Sequence, residues 1–399
     1  MFITNRILKS AIAIISGLVI ATASYADKKG KKLAIDKVEG SLSVMVLGSG
    51  GPIATAEGRA SAGYMIFTDG KPRILMDAGG GTYQRLAQSG MNIKDLDIVL
   101  LTHLHADHTG DLTPIMKTIY FHNNLARQQA AQSGITLPGR TAPIRIYGPT
   151  SSPLPPQANG VAYKKPNGDL LLDEDGNPIL VYPSTEEYSH GHFSIMNGGD
   201  ERYLAAFVAG ISDDDGPMGP GGPVSKFAYT ATDLRSKVPF AEEQLVLSEN
   251  GLVIKAIAVD HGPVPNVAFR IEYKGHSIVY SGDTGTKGRG ANPFAPGNPG
   301  QGNMAKISQA ADLLIYDTAV MEFGDAPANP LFHILHTQPS LIGGVAKAAQ
   351  VKKLVLSHLT PVTSPRVDEV KDIIRANGYE GKIKVARDLK VYNLGDEDD

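Results

Sequence analysis

The segment Thr102-His103-Leu104-His105-Ala106-Asp107-His108 constrains this chain more than any other, because it sets three imidazoles and a carboxylate within six positions. Directly before it runs Ile98-Val99-Leu100-Leu101, apolar throughout and therefore expected as a strand buried on both faces. A strand that empties into a polar loop delivers such side chains to one edge of a sheet. Packed together without a cation, they would place like charges side by side on protonation. Spacing says more. His103 and His105 stand two apart, so their rings converge only if the loop curls, whereas Asp107 and His108 open the next helix and point to a neighbouring position. The segment thus feeds two metal positions a few ångströms apart.

Further ligands are expected where other strands end. His261 follows Ile257–Val259, Asp283 lies in Tyr280-Ser281-Gly282-Asp283-Thr284-Gly285, and His358 follows Leu354-Val355-Leu356-Ser357. All would open onto one edge of a layered sheet. Strands are expected at Leu42–Leu47, Tyr64–Phe67, Ile74–Met76, Ile144–Tyr147, Leu252–Val259, Val267–Tyr273, Ser277–Tyr280, Leu313–Tyr316, Leu354–Leu356 and near Lys390–Tyr392. Helices are expected around Leu112–Gln132, Ser340–Gln350 and Asp368–Asn377. The interleaving of the two types argues for an α/β domain of layered sheets and helices. Residues 150–245, rich in Pro, Gly and Asp, read as a long insertion within that domain, with a hairpin around Asp169–Tyr182.

Composition narrows the chemistry. The 399 residues contain no cysteine, which removes disulfides, thiolate ligands and cysteine nucleophiles. With 38 basic and 41 acidic residues, the net charge of −3 gives no global attraction for a polyanion. Residues 1–26 read as a signal peptide: Arg6 and Lys9 precede the apolar Ala11–Ala21 run, and Ser24-Tyr25-Ala26 supplies a cleavage site after Ala26. Cleavage there removes two positive charges and no acids, taking −3 to −5, and implies a periplasmic or secreted domain over 27–399. The uncharged run is short for a membrane span, so no stable span is expected once it is cut; a retained anchor is the alternative.

These residues resemble the metallo-β-lactamase superfamily, whose hallmark is the His-x-His-x-Asp-His segment followed in order by His261, Asp283 and His358. The resemblance is nearest to the branch of ribonuclease Z-like phosphodiesterases and zinc-dependent arylsulfatase-like hydrolases. Its further marks are Val46-Leu47-Gly48-Ser49-Gly50 with Arg59 after it, and Val259-Asp260-His261 with Ala268-Phe269-Arg270-Ile271. Ser281-Gly282-Asp283-Thr284 and His336-Thr337 ahead of a helix complete the set. The match covers about 42–150 and 250–393. It implies a four-layered αββα sandwich and a dinuclear site, with His103, His105 and His261 on one metal and Asp107, His108 and His358 on the other. Asp283 would bridge them, and a hydroxide between the metals would be the nucleophile. Two Zn2+ suit ligands of this type, which leave Mn2+ and Fe2+ open. His105, where oxygen-reducing diiron members carry glutamate, favours hydrolysis.

Outside the metal shell, His336 matches the histidine placed near the leaving group, as a general acid or a positive charge. Asp107 is assigned to catalysis as well as to metal. Asp77 is expected to hold the motif loop by hydrogen bonds, and Asp317 and Glu322 to lie behind the ligands. His122, His276, His190 and His192 receive no catalytic role, with metal binding by the His190-Gly191-His192 pair as the less favoured alternative. Nucleic acid is disfavoured: only 22 positions separate His261 from Asp283, where the tRNA-gripping arm of ribonuclease Z would stand. The expected substrate is a small ester, sulfate ester or phosphodiester foremost. A β-lactamase or lactonase on the same site, or a silent metal-binding protein, are the alternatives. Dimers are common in this branch, which leaves a homodimer open, but no seam is readable.

Overall fold

The computed structural model describes residues 36–137, 142–151, 162, 164–173, 175–176, 178–193, 229–236, 242–285, 301–322, 324 and 330–395. Residues 1–26, expected as a signal peptide, lie outside the described residues. Among these residues no helix is long and apolar enough to cross a membrane.

Strands β1 (Leu42–Gly48), β2 (Gly63–Thr68), β3 (Lys71–Ala78), β4 (Ile98–Leu100), β5 (Ile144–Pro149) and β6 (Tyr229–Leu234) run through the first sheet. A second sheet takes β7 (Gln244–Glu249), β8 (Leu252–Ala258), β9 (Val267–Tyr273), β10 (His276–Tyr280), β11 (Leu313–Asp317), β12 (Lys353–Ser357) and β13 (Lys382–Val385). The final strand, β14 (Val391–Leu394), returns to pair with β1, so each sheet has seven strands, ordered β14-β1-β2-β3-β4-β5-β6 and β13-β12-β11-β10-β9-β8-β7. β3 to β6 are mutually parallel, as are β10 to β13. Their carboxyl ends therefore share one edge within each sheet, the edge where ligands collect in such sheets.

Alternation along the strands builds three apolar layers. Val44 and Val46 of β1 face inward with Tyr64, Ile74, Phe269, Ile278 and Val355, forming the seam between the sheets. Their neighbours Met45 and Leu47 face outward against α1 (Thr82–Ser89) and against α3 (Leu112–Gln132), which follows the short α2 (Ala106–Thr109). Phe193 of α4 (Thr185–Phe193) closes that layer. Behind the second sheet, Ile257, Leu314 and Leu356 pack on α5 (Gln301–Ile307); α6 (Pro330–Leu335) then leads into α7 (Pro339–Ala348) and α8 (Val367–Ala376). On α8, Val370 and Ile374 stand four apart and bury one stripe of the helix. The result is the αββα sandwich. β1 is buried over all seven residues because apolar groups meet it on both faces.

Within 150–245 the structure shows more than an excursion. β6 extends the first sheet beside β5, α4 packs on it, and β7 forms the edge of the second sheet. The expected hairpin is a small meander with bridges Lys164–Leu170, Leu172–Pro178 and Ala162–Leu180. Arg59 stitches the loop after β1 to the C-terminal part, donating to Ser49 Oγ and the Ala386 carbonyl at 2.8 Å each.

Candidate metal centre

The motif loop is fixed from below by Asp77 at the end of β3. Asp77 accepts the Thr102 N–H at 2.8 Å, the Thr102 hydroxyl at 2.7 Å and His108 Nδ1–H at 2.7 Å, all buried. It does so at φ +54°, and His358 sits at φ +57°. Such conformations cost about 1–3 kcal/mol for a residue with a side chain and persist where the surroundings over-determine them. The Thr102 carbonyl accepts from Val267 N, so the loop after β4 is tied across to the second sheet.

Seven side chains expected as ligands converge in two clusters that share one residue. His103, His105, His261 and Asp283 form the first; Asp107, His108, His358 and Asp283 form the second. Asp283 divides its oxygens between them. Oδ2 lies 3.8 Å from both His103 Nε2 and His261 Nε2, while Oδ1 lies 3.3 Å from His108 Nε2 and 3.2 Å from His358 Nε2. Within the first cluster His103 Nε2 is 2.9 Å from His105 Nδ1. Within the second, His358 Nε2 is 3.2 Å from both His108 Nε2 and Asp107 Oδ2. A tetrahedral cation with bonds of about 2.0–2.1 Å keeps its ligand atoms about 3.3 Å apart, so these spacings fit one cation per cluster.

Hydrogen bonds behind the rings choose the atoms that face inward. His261 Nδ1–H donates to the Leu335 carbonyl at 2.7 Å, which leaves the lone pair on Nε2. Thr102 gives its proton to Asp77, so its oxygen accepts from His103 Nδ1 at 3.2 Å and likewise frees His103 Nε2. His261 Nε2 and Asp283 Oδ1 are buried without a hydrogen-bond partner. Buried polar atoms are rarely left so, and a cation is what this donor set lacks.

Electrostatics differ between the clusters. Burial foremost, reinforced by neighbouring imidazoles, holds His103 well below the usual histidine range and pushes His261 down to about 4. Burial also disfavours charge on His108 and His358, but Asp283 and Asp107 outweigh it; His358 is pushed up to about 10. Asp283 is held well below the carboxylate range, the nearby His358 and His108 overcoming the cost of its burial. Carboxylates here thus attract positive charge, which cations supply when protons leave.

His336 is buried beside the centre. Its Nδ1 is 2.7 Å from Asp317 Oδ2 and 3.9 Å from Asp283 Oδ2. Asp317, at the end of β11, also places Oδ1 3.2 Å from His358 Nδ1, so one carboxylate stands behind two histidines. Glu322 does not join it: it accepts the Ser340 N–H and hydroxyl at the start of α7. His122 pins the chain through Ile93 N–H, and His190 and His192 are exposed on α4, away from both clusters. What the sequence did not disclose is the role of a backbone atom, the Leu335 carbonyl behind His261.

The chain is similar in sequence and fold to several known proteins. Ribonuclease Z of Mycobacterium bovis is 24% identical over 352 residues, covering 87% of this chain and 96% of that protein. The crystal structure of the short form of human tRNase Z matches with TM-score 0.52 and 18% identity, over 88% of this chain and 98% of that one. Unliganded yeast PDE1 matches with TM-score 0.54 and 10% identity, over 89% of this chain and 100% of that one. The family model described as Metallo-beta-lactamase superfamily matches residues 57–318. The chain belongs to the metallo-beta-lactamase superfamily.

Proposed function

We propose that the chain is a dinuclear metal-dependent hydrolase of small phosphodiesters, with sulfate esters as the neighbouring substrate class. The observation that carries this reading is the split of Asp283 between two imidazole clusters, Oδ2 toward His103 and His261 and Oδ1 toward His108 and His358. His103, His105 and His261 would hold one cation, Asp107, His108 and His358 the other, and Asp283 both. Ligands of imidazole and carboxylate type without thiolate suit zinc. Two such cations supply Lewis acidity and a water acidic enough to attack at neutral pH.

The remaining chemistry falls to the chain's own side chains. Asp107, 14% exposed and on the open side of the second cluster, orients the attacking water and accepts its proton. His336, its Nδ1 fixed by Asp317, gives a proton to the departing oxygen or neutralises its charge. The burial of His103, His108, His261, Asp283 and His358 keeps the centre in a low-dielectric setting, where these interactions act strongly.

Relatives named ribonuclease Z favour a phosphodiester. A small substrate is favoured over RNA because residues 262–282 are taken up by the loop before β9, β9, the Lys274-Gly275 turn and β10. The signal-like segment 1–26 supports export to the periplasm or beyond as part of the proposal. The test is an assay of the purified zinc-loaded protein on bis-nitrophenyl phosphate, nitrophenyl sulfate, a lactone and a chromogenic cephalosporin. Turnover foremost of the phosphate diester is expected. Preference for the lactone or cephalosporin replaces this reading with a lactonase or β-lactamase, and inactivity on all four with a metal-binding protein.

A further inference from the structure

The turn Ile334–Thr337 lies against three of the loops that build the centre. The Leu335 carbonyl accepts from His261 Nδ1 at 2.7 Å. His336 meets Asp317 at 2.7 Å. Thr337 Oγ1 donates to the Thr284 carbonyl at 2.6 Å and lies 2.7 Å from Thr284 Oγ1, one residue from Asp283. Gly262, at φ +62°, packs so closely on Leu335 and Ile334 that a Cβ there would meet Leu335 Cδ2 at 2.9 Å. Gly285 has less room still, since a Cβ there would run into the Ile334 carbonyl oxygen. Thr284 and Thr337 are fully buried, so this contact is sheltered from water.

We infer that Thr337 is a positioning residue shared by metal retention and turnover. A turn held at Thr337 fixes two things at once, the carbonyl that orients the His261 ring and the backbone that carries His336. The hydroxyl acts on the centre through the Thr284 carbonyl and hydroxyl, one residue from Asp283. A residue important only for packing would be served equally by valine, which has the shape of threonine without the hydroxyl. A buried hydroxyl contact that orients a ligand behaves differently. Without it the turn shifts, His261 Nδ1 loses its fixed acceptor, and the acid moves relative to the substrate.

The turnover half of this inference rests on the proposed hydrolase reading; the metal half does not. Zinc retention is measured on wild type, Thr337→Val, Thr337→Ser and Thr284→Val by competition with the chelator pyridylazoresorcinol. kcat and KM are measured on bis-nitrophenyl phosphate. Thr337→Val is expected to release one of its two zinc ions about tenfold more readily and to lose about tenfold in kcat, with KM within about twofold, in line with losses of such outer contacts. Thr337→Ser keeps the hydroxyl and restores both values. Thr284→Val removes one contact and leaves the Thr284 carbonyl, so its losses fall between; it carries the comparison if Thr337→Val does not fold. Equal zinc retention in the Val and Ser variants overturns the inference. So does a loss of kcat in Thr337→Val with zinc retention unchanged, because the two effects are then separate. An inactive wild type that still shows the Val-against-Ser difference in zinc retention overturns the hydrolase reading and leaves the metal half standing.

Discussion

Asp77 and His108 meet through a 2.7 Å hydrogen bond between two fully buried side chains, and the same carboxylate holds both donors of Thr102. Asp77 touches none of the metal-facing atoms, yet it sets the His108 ring and the start of the motif loop. Asp77→Ala strands the Thr102 N–H, the Thr102 hydroxyl and His108 Nδ1–H. Each buried orphan costs about 1–3 kcal/mol, and the variant is expected to lose at least about 2 kcal/mol of stability together with the second metal. Denaturant unfolding and metal analysis check this; a variant with wild-type stability and metal content would contradict it.

At the opposite pole, Arg145 donates to both Glu249 oxygens at 2.8 Å and to Asp97 at 2.6 Å, and Arg73 joins the same two acids at 3.1 and 3.3 Å. This cluster links β3 and β5 of one sheet to β7 of the other. Hydrogen bonds from Arg145 hold the Glu249 carboxyl below its ordinary 4.5. A depressed folded pKa contributes stability that is present above 4.5 and lost as pH falls through the folded value. Glu249→Gln is therefore expected to cost about 1 kcal/mol near neutral pH, a gap that closes below 4.5. Unfolding curves at several pH values measure it, and a gap independent of pH would contradict the assignment.

His336→Ala removes the imidazole but leaves the Leu335 carbonyl and Thr337 in place. Turnover is expected to fall by about a hundredfold to ten-thousandfold, the range for losing a general acid, with two metals retained per chain. Metal loss from this variant would make His336 a ligand instead of an acid.

Much of this molecule is written in local pattern. Leu42–Gly48 is legible because its run is apolar and covered on both faces, and Val267–Tyr273 because its residues alternate. The motif residues, His261, Asp283 and His358 are legible because each is a ligand-type residue where a strand stops. β6 within 150–245 and β7 at its end escaped notice: both are edge strands, and only Leu234 among their residues is buried, so neither shows a strong apolar stripe. The double role of Asp317 depends on where β11 lies beside β12, which is tertiary information. The Leu335 carbonyl cannot be read at all, since a backbone acceptor has no letter. Glu322 was expected behind the ligands, but it serves the α7 start instead, accepting from the Ser340 N–H and hydroxyl.

On the proposed reading Asp283 serves two cations, one through each oxygen. Metal content of the gently purified wild-type chain, measured beside Asp283→Ala by elemental analysis, tests it most directly. Two transition-metal ions per wild-type chain, with both weakened and turnover abolished in Asp283→Ala, is the predicted result. Fewer than one metal per wild-type chain, or an Asp283→Ala variant with near-wild-type metal and activity, would contradict it.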